Sequence, residues 1–144
     1  PWATGDRAAW DQIPIDRSLG PIEGMDRLIA SRRPVDGVQD QLIHGDLSEN
    51  VLFAAGMAPA VIDLSPYWRP TVFASAIVIA DALLWRDSGP EILEAAPNAE
   101  HLGQLLIRAL IYRLVTHAIF HPGAVAGPAV TRAVNLACDL AKAT

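Results

Sequence analysis

The C-terminal half of the chain repeats apolar residues at intervals of three and four, the period of helices with a buried face. Breaks at Ser88-Gly89-Pro90 and His121-Pro122-Gly123 divide this half into three segments. Because Gly and Pro end helices, the pattern predicts helices at residues 71–86, 99–120 and 127–142. Together these helices would form a bundle.

Shorter patterns precede this bundle. Residues 6–11 and 21–33 are helical in period, and Pro34 would stop the second helix. From Gln41 onward the apolar residues form short runs typical of strands. These runs are Leu42-Ile43, Val51-Leu52-Phe53 and Ala60-Val61-Ile62. The turn residues between the last two runs predict a hairpin, so we expect one α+β domain over residues 1–144, mostly α.

The composition is rich in apolar residues. Of the 144 residues 51% are hydrophobic and 19% are charged, which is more apolar than a solvated monomer requires. We therefore expect an exposed apolar surface that another part of a longer protein covers, or that forms a homo-oligomer. The opening residues 1–6 carry no initiator Met or targeting pattern, and we interpret them as the interior of a longer protein.

The charge and the cysteine content restrict the possible binding partners and the cellular compartment of the protein. The net charge is −5, and the longest basic run is Arg32-Arg33, so no nucleic-acid footprint is present. The most apolar stretch, residues 71–85, contains Asp81 and is shorter than the roughly 20 residues of a membrane span. The single Cys138 excludes an internal disulfide. We expect a cytoplasmic protein with neither a nucleic-acid nor a membrane partner.

Candidate chemistry lies between the strands. The run Ile43-His44-Gly45-Asp46-Leu47-Ser48-Glu49-Asn50 forms a loop between two strands, and Asp63 ends the next strand. Phosphoryl transfer needs a carboxylate to orient the attacking hydroxyl and hard oxygen ligands for Mg²⁺. Asp46, Asn50 and Asp63 are of these types. An Asp at a strand end is also a common turn former, which is the alternative.

The segment HGDLSENVLF, followed by VIDLS, resembles the aminoglycoside phosphotransferase and choline kinase group, kinase-like enzymes whose catalytic loop begins with HGD. The resemblance implies a kinase-like C-terminal lobe that transfers phosphate from ATP, with Mg²⁺, to a small-molecule hydroxyl. It implies that Asp46 is the catalytic base and that His44 organises the loop. Asn50 and Asp63 would hold Mg²⁺ beside the ATP phosphates.

The catalytic segment departs from the family pattern in two places. Asn50 lies four residues after Asp46, where the family has five. Asp63 is followed by Leu64-Ser65 instead of an aromatic residue and Gly. The family also has an Asp early in the next helix that hydrogen-bonds the backbone of the catalytic loop. Ser75 stands near that place here, and Asp81, further along, is the candidate anchor.

The nucleotide-binding elements of the family are missing from the chain. It contains no Gly-rich loop, and its one Lys is Lys142. We therefore expect the missing N-terminal lobe of the same protein to be a partner and the 144 residues alone to be inactive.

Several alternatives stay open at this stage. The shortened loop is also compatible with a kinase-like binding or scaffold protein that no longer transfers phosphate. A different Mg²⁺-dependent hydrolase would require more clustered carboxylates. His117 and His121, four residues apart, are a minor candidate for zinc. Tyr67 and Trp68 would either line a substrate pocket or pack the loop on the helices.

Overall fold

The computed structural model describes residues 1–97 and 100–143. The predicted α+β, mostly α, class is confirmed, since the chain is about 52% helical and has two small sheets. The helices are α1 (Trp2–Ala9), α2 (Met25–Ser31), α3 (Thr71–Trp85), α4 (Leu102–Phe120) and α5 (Pro128–Ala143). The strands are β1 (Asp40–His44), β2 (Val51–Leu52), β3 (Ala60–Val61) and β4 (Pro66–Pro70). Short 3-10 helices cover Arg17–Leu19 and Pro90–Ala95.

Helix α4 is the centre of the core, and α1, α3 and α5 pack around it. Among the described residues it is the one helix long and apolar enough to cross a membrane, with a mean hydropathy of 1.2. However, 89% of that apolar window is buried inside the fold. Burial on all sides explains why α4 is apolar around most of its circumference.

The three C-terminal helices lie close to their predicted positions. The predicted start of the middle helix at Ala99 lies outside the described residues, and α4 begins at Leu102. Gly103 at its first turn contacts α5, since a Cβ there would lie 2.6 Å from the Cα of Ala141. The segment between α3 and α4 was predicted as a break and contains the second 3-10 helix.

The two N-terminal helices differ from the prediction. Helix α1 begins at Trp2, four residues earlier than predicted, and includes Gly5, which allows it to lie directly against α4. Helix α2 begins only at Met25, because Ile22 forms a parallel bridge with Val125. These bridge contacts hold the preceding residues out of the helix. In both cases a distant part of the chain overrides the local pattern.

The β part consists of two antiparallel pairs. The predicted hairpin joins β2 to β3, with Val51 opposite Val61. The second pair joins β1 to β4, from Asp40 opposite Pro70 to His44 opposite Pro66. Strand β4 was not predicted, because a proline stands at each end of it. Both prolines are tolerated because, within the described residues, β4 has a neighbouring strand on one side only.

The β part carries many exposed apolar side chains. Leu42 lies opposite Trp68 in the β1–β4 pair, and the two are 59% and 65% exposed. The hairpin and its flanks add more exposed apolar side chains, namely Leu52, Phe53, Met57, Val61, Ile62 and Leu64. We refer to these eight residues as the β surface. The high apolar content of the chain therefore reflects this surface as well as the core.

The close approach of α1 to α4 predicts an effect of Gly5→Ala. The new Cβ would overlap the Thr116 hydroxyl and lie 2.7 Å from the Tyr112 backbone oxygen, which cannot move independently of α4. We expect the free energy of unfolding, measured by urea denaturation, to fall by about 1–3 kcal/mol.

Gly89→Ala is the matched control. Its φ of −94° suits alanine, and the new Cβ would meet mainly the flexible carboxylate end of Glu91. A loss within about 0.5 kcal/mol is expected for such a surface change. Equal losses in the two variants would contradict the assigned packing of α1 on α4.

Candidate functional site

His44 joins the two segments that carry the candidate carboxylates. Its Nδ1 accepts a hydrogen bond from the backbone N–H of Asp46 at 3.0 Å. Its Nε2 therefore carries the proton and donates to the carbonyl of Ile62 at 3.2 Å. Because Ile62 directly precedes Asp63, one buried ring fixes the start of the 46–50 loop relative to the Asp63 segment. A role in a reaction stays a prediction for His44.

Gly45 is required by the packing of Tyr67. A Cβ at Gly45 would overlap the Tyr67 ring, and the Gly45 N–H donates to the Ser65 carbonyl at 2.8 Å. The Tyr112 hydroxyl lies 3.4 Å from both the Gly45 carbonyl and the Tyr67 hydroxyl. Burial, with the hydrogen bond to Tyr67, raises the pKa of Tyr112. Tyr67 thus packs the loop on the helices, whereas Trp68 points outward on the β surface.

Asp46 is held by a buried arginine from the core helix. Nη2 of Arg113 donates to Oδ1 of Asp46 at 2.7 Å and to Oδ2 of Asp81 at 2.6 Å. The Ser48 hydroxyl also donates to Oδ2 of Asp81, at 2.6 Å. The side chains of Arg113 and Asp81 are 5% and 7% exposed, and that of Asp46 is 28% exposed. We call these four residues the arginine–carboxylate cluster.

The charges of this cluster depend on one another. Burial by itself would lower the pKa of Arg113, because it removes water from the guanidinium. The hydrogen bonds and charges of Asp81, and then of Asp46, outweigh burial, so the pKa lies above its ordinary value. Arg113 therefore stays protonated inside the protein. Asp81 binds the loop through the Ser48 side chain and through Arg113. The anchor that the resemblance implies binds the loop backbone, so that role stays a prediction for Asp81.

Asn50 turns back onto its own loop. Its side-chain Nδ2 donates to the backbone carbonyl of Asp46 at 2.7 Å, and its backbone carbonyl accepts from the Ile62 N–H at 3.0 Å. The first bond closes the loop four residues after Asp46. The second places Asn50 at the mouth of the β2–β3 hairpin. The amide Nδ2 is thus engaged, and the amide oxygen is the atom left to approach a cation.

Asp63 lies at the other side of the hairpin mouth, in an exposed position. Its φ is +50°, in the left-handed region that non-glycine residues seldom adopt. Asp and Asn tolerate this region best, and strained backbone is often found at functional sites. Asp11 and Asp87 adopt the same conformation, so the φ of Asp63 indicates a turn and does not by itself indicate a function.

A cavity of about 720 Å³ opens beside the loop. Asp46, Asn50 and the rest of the arginine–carboxylate cluster line it, together with aromatic side chains from three helices. Asp63 is not among the described residues that line it. The structure therefore brings Asp46 and Asn50 into one cavity and leaves Asp63 next to it.

The donor atoms fit Mg²⁺ only as a site shared with a ligand. In residues 1–97 and 100–143 no three His, Cys, Asp or Glu side chains cluster in a way that could hold a metal. Mg²⁺ commonly takes one or two carboxylates and completes its octahedron with water and phosphate oxygens. Asp63 and the Asn50 amide oxygen suit that arrangement. The His117 and His121 rings lie 4.8 Å apart, and the described part of the chain offers them no third ligand for zinc.

Sequence reasoning missed Arg113 and the aromatic residues of the cavity. The available signal was an arginine in an otherwise apolar helix, since a buried guanidinium requires compensating partners. An arginine in an apolar helix does not by itself indicate which group compensates its charge, as Arg108 on the same helix shows. Arg108 donates to the Arg33 carbonyl at 2.6 Å, and burial, followed by the charge of Arg32, lowers its pKa to about 10.

No family model, curated protein or solved structure significantly matches this chain.

Replacing Arg113 tests the cluster. In Arg113→Met, two carboxylates lose their buried cation, and such a loss typically costs about 3–5 kcal/mol. Urea denaturation should show a loss in this range. Arg86→Met is the control, because Arg86 pairs with Glu49 at 2.9 Å on the exposed surface, where ion pairs contribute about 1 kcal/mol or less. Similar losses would contradict the burial assigned to Arg113.

His117 predicts a pH dependence of stability. Burial, and then the charge of His121, lowers the pKa of His117 below its ordinary value of 6.5. The unfolded chain therefore binds this proton more readily, so the contribution to stability is complete above pH 6.5 and is lost as the pH falls through the folded pKa. Between pH 8 and pH 5 the wild type should lose more stability in urea than His117→Gln. Equal losses would rule out this contribution.

Proposed function

We propose that the chain carries the catalytic and acceptor-binding part of an ATP- and Mg²⁺-dependent phosphotransferase acting on a small-molecule hydroxyl. The supporting observation is the Asp46 carboxylate, which lies in a cavity and is held by Arg113. The proposed architecture is the C-terminal lobe of the kinase-like group that the HGD segment resembles. The proposed location is the cytoplasm, where ATP and a single reduced Cys138 are both expected.

Asp46 would act as the general base. Arg113 binds Oδ1, so the second oxygen, Oδ2, is the atom available to accept a hydrogen bond from a substrate hydroxyl in the cavity. A base within hydrogen-bond reach takes up the proton as the hydroxyl oxygen bonds to the γ-phosphorus of ATP and the bond to the leaving ADP breaks. Such a base typically contributes about 10²–10⁴-fold to the rate. The bonds from Arg113 and Asn50 keep the carboxylate and its backbone in one orientation. Positioning is the main source of catalysis in phosphoryl transfer.

Asn50 and Asp63 would hold Mg²⁺ at the mouth of the hairpin. The ion, when bound with ATP, neutralises charge on the phosphates. His44 couples these residues to Asp46, because its ring bonds the backbone on both sides. The shortened loop keeps Asn50 close to Asp46 through the bond between the Asn50 amide and the Asp46 carbonyl.

ATP binding requires elements that these 144 residues do not supply. Lys142, the one lysine, lies on α5 and pairs with Asp139 at 2.9 Å. We propose that an N-terminal lobe of a longer protein supplies the nucleotide clamp and covers the β surface. The eight exposed apolar residues support this, since so many apolar side chains left in water are candidates for cover by another part of the protein.

Two observations favour a second candidate, a kinase-like binding protein without transferase activity. Asp63 lies outside the cavity, and the Asn50 Nδ2 is used within its own loop. In that case the arginine–carboxylate cluster would only stabilise the loop. The two candidates differ in whether Mg²⁺ and ATP bind.

A pair of isosteric variants separates the roles. Mg²⁺·ATP should give binding heat by calorimetry with the full-length product of the gene. Asp63→Asn should weaken this binding by at least tenfold, because the metal loses a carboxylate. Asp46→Asn should bind Mg²⁺·ATP normally and lose phosphoryl transfer by at least a hundredfold.

The contrary outcomes are distinct. Absence of Mg²⁺·ATP binding by the full-length protein would favour the binding-protein candidate. Binding that Asp63→Asn leaves unchanged would remove Asp63 from the metal site. Transfer that survives Asp46→Asn would remove Asp46 as the base. The isolated chain should show no transfer in any form.

A further inference from the structure

Three large aromatic side chains from three helices meet at the cavity that holds Asp46. Trp2 of α1, Trp85 of α3 and Phe120 of α4 line it and are 41%, 47% and 49% exposed. Large aromatic residues that stay about half exposed do not gain the full stabilisation that burial of their apolar surface would give. When such rings line one concave site, a ligand with an apolar body can cover them. We call these three residues the aromatic cluster.

Neighbouring rings already hold the aromatic cluster in place. Trp85 stacks on His117, with ring centroids 4.9 Å apart and planes at 28°. Phe120 meets Trp2 edge to face at 5.6 Å. Trp2 also lies beneath the Arg113 guanidinium, 5.4 Å from the ring centroid. The cluster is therefore connected to the arginine that orients Asp46, and a ligand would find its rings preorganised.

The charges around the cavity disfavour an acceptor whose body is anionic. Both arginines that line it are already paired, Arg113 with two carboxylates and Arg86 with Glu49. The described lining residues thus carry three carboxylates against two guanidinium groups. His117, whose pKa lies below 6.5, adds no positive charge at neutral pH. A carboxylate or phosphate on the ligand body would meet no unpaired arginine or lysine there.

We propose that the acceptor is an alcohol with an apolar ring body that carries no negative charge, and that Trp85 and Phe120 determine this specificity. The rings would cover the apolar body while the hydroxyl reaches Asp46. The placement of the hydroxyl rests on the proposed phosphotransferase function, whereas the binding of the apolar body does not. Sugars and sugar phosphates would be poor ligands, because they would leave the aromatic cluster exposed or add charge.

The test uses two probes of similar shape, of which one is expected to bind tightly and the other weakly. Calorimetry at pH 8 without ATP compares 2-(2-naphthyl)ethanol with 2-naphthylacetate on the full chain. The neutral alcohol should bind at least tenfold more tightly than the anion. Trp85→Ala and Phe120→Ala should each weaken binding of the alcohol at least tenfold. Trp68→Ala is the matched control, since Trp68 is exposed on the β surface, and its affinity should equal that of the wild type.

Three results would overturn the inference: no binding of the alcohol, equal binding of the two probes, or full affinity in both cavity variants. Two helices carry the variants, so a misfolded Trp85→Ala leaves Phe120→Ala to decide. Selective binding of the alcohol without its phosphorylation by the full-length protein would count against the phosphotransferase and leave the inference standing. Phosphorylation of sugars by a protein that ignores the naphthyl alcohol would overturn the inference alone.

Discussion

The contact between Arg113 and its two carboxylates connects the helical core to the loop that carries the candidate chemistry. A guanidinium in the middle of a buried helix must be compensated. The compensation comes from Asp81 on α3 and Asp46 in the loop, at 2.6 and 2.7 Å. Because Arg113 lies on α4 and Asp81 on α3, these bonds fix the position of the loop relative to both core helices.

A second buried ion pair joins helices to strands in the same way. Arg69 of β4 donates two hydrogen bonds to Asp6 of α1, at 3.0 and 2.6 Å, and lies over the Trp10 ring. Buried ion pairs are poor sources of stability, because desolvation offsets most of their attraction. Their contribution here is positional. The apolar core stabilises the helices, while charged contacts determine where the small β part lies on them.

The sequence predicted those features that depend on local pattern. Apolar periodicity located α3, α4 and α5, and the HGD segment located the loop. The starts of α1 and α2 and the whole of β4 depend on distant partners, such as Val125 for Ile22, and were mispredicted. The role of Arg113 was inaccessible for the same reason, since its partners lie 32 and 67 residues away in the chain.

The proposed base and the proposed metal site differ in how firmly the fold positions them. Asp46 is held by the core in a fixed orientation, whereas Asp63 is exposed and stands outside the cavity. One carboxylate and one amide oxygen leave most of a Mg²⁺ coordination sphere to water and phosphate. In the proposed enzyme the base would therefore be ready before the substrates arrive, and the metal site would form only with the nucleotide. Such an arrangement would limit catalysis to the fully assembled complex, because the residues proposed to bind the metal could not hold it alone.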